Sequence, residues 1–338
     1  MSPFWTPETH AGRRERLVAR GRIKAAIRGT LEAQGFTEVE CGILAASPGN
    51  EAHLHAFKTQ WDVGGEMRPL YLHTSPEFAA KKLLAAGETR IFEFARVFRN
   101  REQGALHAPE FTMLEWYRAN EPYEAVIADA LEFLRIAADM TGLKTFSYRN
   151  AACDPYAEAE RITVAEAFKK FADVDLLSTL NEKGEGNRDA LASRSSIEVA
   201  SNDNWADIFS KILVARVEPQ LGRGRPTILY EYPACEAALA RATSHDPRVA
   251  ERFELYICGV ELANGFGELT DADEQRRRFV AEMDEKERIY GERYPIDEDF
   301  LAALAHMPPA CGVALGFDRL AMLATGARNV NDVIWTPL

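Results

Sequence analysis

No run of apolar residues in this sequence approaches the ~20 that a helix needs to cross a bilayer. The first residues, MSPFWTPETHAGRRERL, lack the apolar core of a secretory signal. A cytoplasmic location without a membrane partner is the resulting expectation. Disulfide chemistry is missing as well. The five cysteines, Cys41, Cys153, Cys235, Cys258 and Cys311, are scattered and never form a C-x-x-C pair. That argues against a disulfide framework and against structural zinc, and leaves buried or idle thiols. A basic face is absent too. The 40 Lys and Arg stand against 52 Asp and Glu, a net charge of −12. No block of Lys and Arg forms the footprint of a nucleic-acid binder, which weighs against a tRNA partner. No internal repeat or low-complexity tract points to a solenoid or a disordered chain.

What is present is ordinary for a soluble globular enzyme, with 46% hydrophobic and 27% charged residues. At 338 residues the chain can form one large domain or two medium ones. Its most informative stretch is Ile91 to Tyr117, IFEFARVFRNREQGALHAPEFTMLEWY. Aromatic and branched residues predict a strand from Ile91 to Phe98, which delivers Arg99 at its end. A loop with Gly104 and Pro109 follows. Period-two alternation predicts a second strand from Phe111 to Tyr117, with Phe111, Met113, Glu115 and Tyr117 on one face. Read by itself, this is either an amphipathic hairpin with a charged rim or a site that offers an aromatic ring, a carboxylate and a phenol together.

Upstream, Ile23, Ile27 and Leu31 at helical spacing predict a helix from Arg14 to Gln34, stopped by Gly35. A short strand is expected at Phe36 to Val39. Ser75-Pro76-Glu77 follows a strand ending at Thr74 and opens a helix, with Ser at the cap and Pro in the first turn. Downstream, Pro122 to Met140 is amphipathic, with Val126, Ala130, Phe133 and Leu134 on one side. The signal weakens from Thr141 to Ser201, where Asn181 to Asp189 looks like an exposed loop. A helix from Asp207 to Val217, ended by Pro219, precedes a turn at Gly222 to Pro226 and a strand at Thr227 to Tyr232. Phe253 to Leu269 reads as a hairpin turning near Cys258-Gly259, and Glu254, Glu261, Asn264 and Glu268 fall in it. Asn264, Phe266 and Glu268 share a face. Glu261 joins them only if the strand has an irregularity, expected at Gly265. Such acids are either a solvated face or buried groups that need partners. A charged helix at Asp271 to Tyr290 and a Gly-rich strand leading into a helix at Cys311 to Ala324 complete the chain. The expected fold is α+β, a mainly antiparallel sheet flanked by helices.

The order of these pieces resembles the class II aminoacyl-tRNA synthetases, in the lysine-specific branch. FRNxE…HxPEFTMLEWY is similar to motif 2, the Arg14 to Leu44 region to motif 1, and GFDR near the C-terminus to motif 3. The resemblance covers Arg13 to the C-terminus and implies a single catalytic domain over 1–338. It implies ATP and Mg²⁺ as cofactors. Arg99 would hold the α-phosphate and Arg319 the γ-phosphate, the two catalytic residues. Phe111 would stack on adenine, with Asn100, Arg101, Glu102, His107, Leu262 and Gly316 also at the nucleotide. Glu254 and Glu261 would bind Mg²⁺, and Glu261 also faces the nucleotide. Ser75, Glu77, Glu115, Tyr117, Asn264, Phe266, Glu268 and Ala314 would line the amino-acid pocket. Motif 1 implies a homodimer.

The chain departs from that pattern in three places. Gly42 stands where motif 1 has proline. Arg101 stands where the motif-2 loop has Glu, with Glu102 one step later. Ala108 replaces an Asn. Either Glu102 substitutes through a shifted loop, or adenine is held less tightly. No N-terminal OB-fold barrel for reading an anticodon is expected, since the catalytic helix starts near Arg14. That combination, with Ala314 where lysyl-tRNA synthetases carry Gly, is most similar to ligases that attach (R)-β-lysine to a lysine of translation elongation factor P. The implied substrates are lysine or β-lysine and, as protein partner, elongation factor P. A tRNA-charging enzyme that borrows an anticodon domain, and a non-catalytic paralogue that only binds ATP or an amino acid, are the alternatives.

Overall fold

A computed structural model of the chain describes residues 3–338. The chain divides into two compact units, Met1–Pro122 with Thr270–Leu338, and Tyr123–Leu269.

The first unit opens with a helix at Pro7–Ala33, which begins before the expected Arg14. Pro7 and Glu8 supply the start signals, a fixed φ in the first turn and a carboxylate at the positive helix end. Leu17, Ile23, Ile27 and Leu31 are fully buried along one stripe. Gly35 follows at φ +82°, the left-handed stop that only glycine adopts freely. The strands Thr37–Glu38, Arg90–Phe98, Glu110–Ala119 and Ala310–Gly316 lie side by side in that order. The first pairing is parallel and the other two are antiparallel. A smaller antiparallel sheet joins Leu44–Ala45, Glu66–Leu72 and Lys58–Val63.

The Ser75-Pro76-Glu77 helix differs from expectation by one position. It spans Glu77–Ala85 with Pro76 as the cap residue. The Ser75 hydroxyl still accepts from the Glu77 amide at 3.0 Å, so the serine satisfies one of the helix's orphan N–H groups from just outside the cap.

In the second unit the strands run Val260–Gly267, Val249–Ile257, Thr227–Pro233, Glu160–Thr163, with two antiparallel pairings and one parallel. The hairpin turns at Cys258-Gly259 as expected, and both residues have positive φ, +56° and +72°. That is the turn geometry whose twist suits a two-residue hairpin. The helix Glu124–Thr141 buries Val126, Ala130, Phe133 and Leu134 completely. The helix expected from Asp207 begins earlier, at Trp205, because Asn204 and Asp207 form a reciprocal capping box. It widens into a π segment at Leu213–Val217 and ends in a 3-10 turn carrying Pro219. The weakly patterned 141–201 stretch is ordered: Phe168 of Val164–Ala172 stacks on Phe209, and Trp205 stacks on the same ring. Its core includes Leu191, Ile208 and Tyr232.

Both units are α+β. Among the described residues, the strand ladders within each unit are antiparallel except those of the short strands Thr37–Glu38 and Glu160–Thr163, so neither unit is a parallel doubly wound sheet. No described helix is long and apolar enough to cross a membrane.

Candidate functional site

In the first unit, Arg99 stands at the end of its strand, where its amide is held by the Pro109 carbonyl at 2.9 Å. Its guanidinium donates to the Thr74 carbonyl at 3.2 Å and lies 5.5 Å from the centre of the Phe111 ring. A cation and a flat ring are thus side by side. Arg319 occupies the first turn of the Phe317–Ala324 helix, after Gly316 at the cap. It reaches back to the loop, donating to the Leu106 carbonyl at 3.2 Å and approaching His107 Nε2 at 2.9 Å. Glu102 lies 3.8 Å from the same His107 nitrogen. Burial and the Arg319 guanidinium lower the pKa of His107, with Glu102 opposing and Arg99 adding to the shift. The imidazole is therefore neutral at physiological pH and accepts from Arg319. Asp318, next to Arg319, binds buried Arg20 at 2.5 Å and accepts from the Thr112 amide at 2.9 Å. This locks the helix carrying Arg319 to the strand carrying Phe111.

The same sheet carries a cluster of acidic side chains. Glu115 is 2% exposed and sits between Glu93 and Ala314 in register. Tyr117 donates to it at 2.7 Å. Burial first, then the nearby Glu77 carboxylate, push the Glu115 pKa up to about 8, while hydrogen bonds from Tyr117 and Ser75 pull against that rise. Glu93 is raised as well, by burial, against hydrogen bonds from Cys41. Glu77 accepts from the buried Lys81 at 2.5 Å. Buried carboxyls with raised pKa, Glu115 and Glu93, favour a cation placed beside them, which restores their charge.

In the second unit the hairpin register has its irregularity between Glu261 and Ala263, with Leu262 as the extra residue, not at Gly265. This bulge has a large consequence. Tyr256 faces Glu261 and Glu254 faces Asn264, so Arg252, Glu254, Tyr256, Glu261, Asn264 and Phe266 all fall on one face. Glu254 is 6% exposed and held at both oxygens: Arg252 Nη2 donates to Oε1 at 2.8 Å and Tyr256 Oη donates to Oε2 at 2.6 Å. Glu268, 1% exposed, follows on the same parity, bridged to Ala240. The Asn264 side-chain oxygen is buried with no hydrogen-bond partner among the described residues, a group that a ligand donor would satisfy. Phe266 packs against Ala237, Ala240 and Ala250. Two carboxylates on one face suit Mg²⁺, a hard ion that takes one or two protein carboxylates and completes its shell from phosphates and water.

Residues 9–338 match the family of class II tRNA synthetases (D, K and N). The chain belongs to the class II tRNA synthetases. Within them it is similar to an elongation factor P–(R)-β-lysine ligase of Avibacterium paragallinarum, 40% identical over 94% of each chain. Relatives of the same name in Proteus mirabilis, 40% identical, and Histophilus somni, 39% identical, are matched over 94% or more of each chain.

The class II pattern named the charged ends but missed their supports. Glu93, Lys81, Asp318, Arg20, Arg252 and Tyr256 hold or tune the expected residues and were not singled out. Period two would have placed Glu93 across from Glu115 once the register was known. The others depend on contacts remote in sequence. Arg101 is the clearest divergence from the site. Its partners are Glu292, His55 and Tyr290, and Glu102 is the loop carboxylate beside His107. A cavity of about 530 Å³ lies against the same loop and the C-terminal residues, but Arg99, Phe111 and Arg319 do not line it. Its lining includes Asn100, Arg101, Glu102 and His107.

Proposed function

We propose that the chain is an ATP-dependent ligase that adenylates (R)-β-lysine or lysine and transfers it to a lysine side chain of elongation factor P, in the cytoplasm. The observation that carries this reading is the 40% identity to ligases of that name, spread over more than nine-tenths of both chains. The buried carboxylate at Glu115, whose charge a diamino substrate would restore, supports it.

In the first step the amino-acid carboxylate attacks the ATP α-phosphorus and pyrophosphate leaves. In the second, a neutral lysine amine of the acceptor attacks the adenylate carbonyl, loses its proton, and AMP leaves. Arg99 neutralises charge that grows on the α-phosphate, and Phe111 stacks on the base. Arg319, oriented by Gly316 and steadied by His107, grips the γ-phosphate. Positive groups fixed before reaction need no rearrangement as charge develops. Asn100 and Glu102 add contacts to the nucleotide from the same loop. The chemistry that Mg²⁺ would supply is neutralisation of phosphate charge. Glu254 and Glu261 would hold the ion. In the first unit, Ser75, Glu77, Glu115 and Tyr117 would bind a substrate amine. Ala314 trims the space left for the backbone, where one methyl is worth ~1–3 kcal/mol of discrimination. A homodimer through the Arg14–Leu44 segment belongs to the same reading.

The test is ATP–pyrophosphate exchange with both lysine isomers, followed by the mass of elongation factor P after incubation. Isomer-dependent exchange and a mass gain lost when the acceptor lysine becomes Ala are expected. Efficient charging of lysine tRNA without mass gain on the factor would overturn the reading. A sedimentation mass of one chain at micromolar concentration would remove the dimer.

A further inference from the structure

Arg101 stands at φ +65°, a left-handed backbone state costly for a residue with a long side chain. The Asn100 side-chain oxygen supports it by accepting from the Arg101 amide at 2.8 Å. In this conformation the Arg101 side chain meets a different part of the fold from Glu102. Its Nη2 donates to Glu292 Oε1 at 2.7 Å, its Nη1 lies 3.4 Å from His55 Nε2, and its guanidinium covers the Tyr290 ring at 5.7 Å. Glu292 is also held by His55 Nδ1 at 3.2 Å.

The receiving surface is built to stay still. Lys286, fully buried, donates to the carbonyls of Ala52 and Leu54 at 2.9 and 2.6 Å. Glu282 accepts from the Ala52 amide at 2.9 Å, and the Tyr294 hydroxyl accepts from the Ala56 amide at 2.9 Å. The helix Ala272–Tyr290 and the residues just after it therefore grip the 52–56 segment along its length. That segment meets the loop again, because the His55 carbonyl accepts from the Asn100 amide at 2.6 Å. The loop root is tied by one backbone bond and one ion pair to the same anchor.

We propose that Arg101 is a positioning residue: it fastens the root of the nucleotide loop to Glu292 and His55, and this fixes Glu102, one residue on, as the carboxylate beside His107 and Arg319. The proposal rests on the nucleotide reading of the loop given above. It carries a counterintuitive consequence. Arg101→Glu restores the residue type found in similar loops, yet it sets two carboxylates against each other at Glu292 and should be worse than Arg101→Ala.

Hydrogen exchange of the full-length protein without nucleotide tests the fastening directly. Arg101→Ala and Arg101→Glu should speed exchange of residues 102–108 and leave the 272–290 helix protected. In ATP–pyrophosphate exchange, Arg101→Ala should raise the KM for ATP about fivefold or more while kcat changes less than about twofold, the signature of lost binding rather than lost chemistry. Arg101→Glu should raise it further, and adding Glu292→Arg should recover much of the loss. Unchanged exchange in residues 102–108, or an Arg101→Glu protein that binds ATP as well as the parent, overturns the proposal. If the parent shows no pyrophosphate exchange with either lysine isomer, the ligase reading fails, and the hydrogen-exchange comparison still decides the fastening.

Discussion

In the loop between Phe98 and Glu110, charged side chains stand at the surface and are held by long ties to separate parts of the first unit. Arg101 reaches Glu292, and Arg319 reaches back to Leu106 and His107. In the Val249–Gly267 hairpin of the second unit, the charges are buried and held by their immediate strand neighbours, Arg252 and Tyr256 on Glu254. In the first arrangement water solvates part of what a new side chain leaves unpaired, so a changed residue costs binding without stranding a buried charge. In the second, each buried charge depends on a specific donor. The departures from the class II pattern at Arg101 and Ala108 lie in the loop, and the hairpin's E-L-A-N-G-F-G-E run keeps the pattern.

Substitutions can break this contrast. The largest effect is expected at Arg99→Ala, which removes the cation paired with Phe111. Pyrophosphate exchange should fall about a thousandfold or more, as for a lost charge-stabilising donor. A residual rate within tenfold of the parent would show that Arg99 is not at the reacting phosphate. Next comes Tyr256→Phe, which deletes one hydroxyl and leaves Glu254 Oε2 short of a donor. Supports of a metal-binding carboxylate cost about 10–100-fold when removed. The expected sign is a raised Mg²⁺ requirement at saturating ATP; an unchanged Mg²⁺ dependence would mean that Glu254 is structural. Glu102→Ala should act more mildly, raising the KM for ATP with kcat less affected. If that KM does not move, Glu102 does not contact the nucleotide and adenine is held without a loop carboxylate.

The smallest effect sharpens the contrast within the first unit. Glu115 has its folded pKa raised to about 8, by burial and then by Glu77. In the folded chain it keeps its proton where an unfolded one would have lost it. Its contribution to stability is therefore greatest below the ordinary carboxylate pKa and declines as pH rises toward 8. A cationic substrate favours the carboxylate, so lysine binding at pH 7 should expel part of a proton and tighten as pH rises to 8. Calorimetry in buffers of different ionisation enthalpy would read this. Glu115→Gln should abolish the proton release, and equal heats in all buffers for the parent would count against a charged contact at Glu115.

Much of this was legible beforehand. Period two in Phe111 to Tyr117, helical spacing in Pro122 to Met140 and the Cys258-Gly259 turn are local signals, and the structure carries them to within a few residues. Those expectations rest on neighbours along the chain, which sterics and side-chain periodicity constrain directly. The 141–201 region was opaque because its short helices and strands are fixed by packing, with Phe168, Trp205 and Phe209 stacking from distant positions. The hairpin bulge was anticipated but misplaced, since a strand's extra residue is defined only against its partner's register.

By itself the sequence determined the α+β class, the class II order of its motifs and the positions of Arg99, Phe111, Glu115 and Arg319, because each is written in a short stretch whose spacing sets its geometry. Tertiary structure alone decided that Leu262 is the bulged residue bringing Glu261 onto the face of Glu254, that Asp318 and Arg20 lock the helix of Arg319, and that Arg101 joins Glu292. Those outcomes join residues up to 298 positions apart. Register and long-range pairing are properties of two chain segments at once, and no local pattern in either one specifies them.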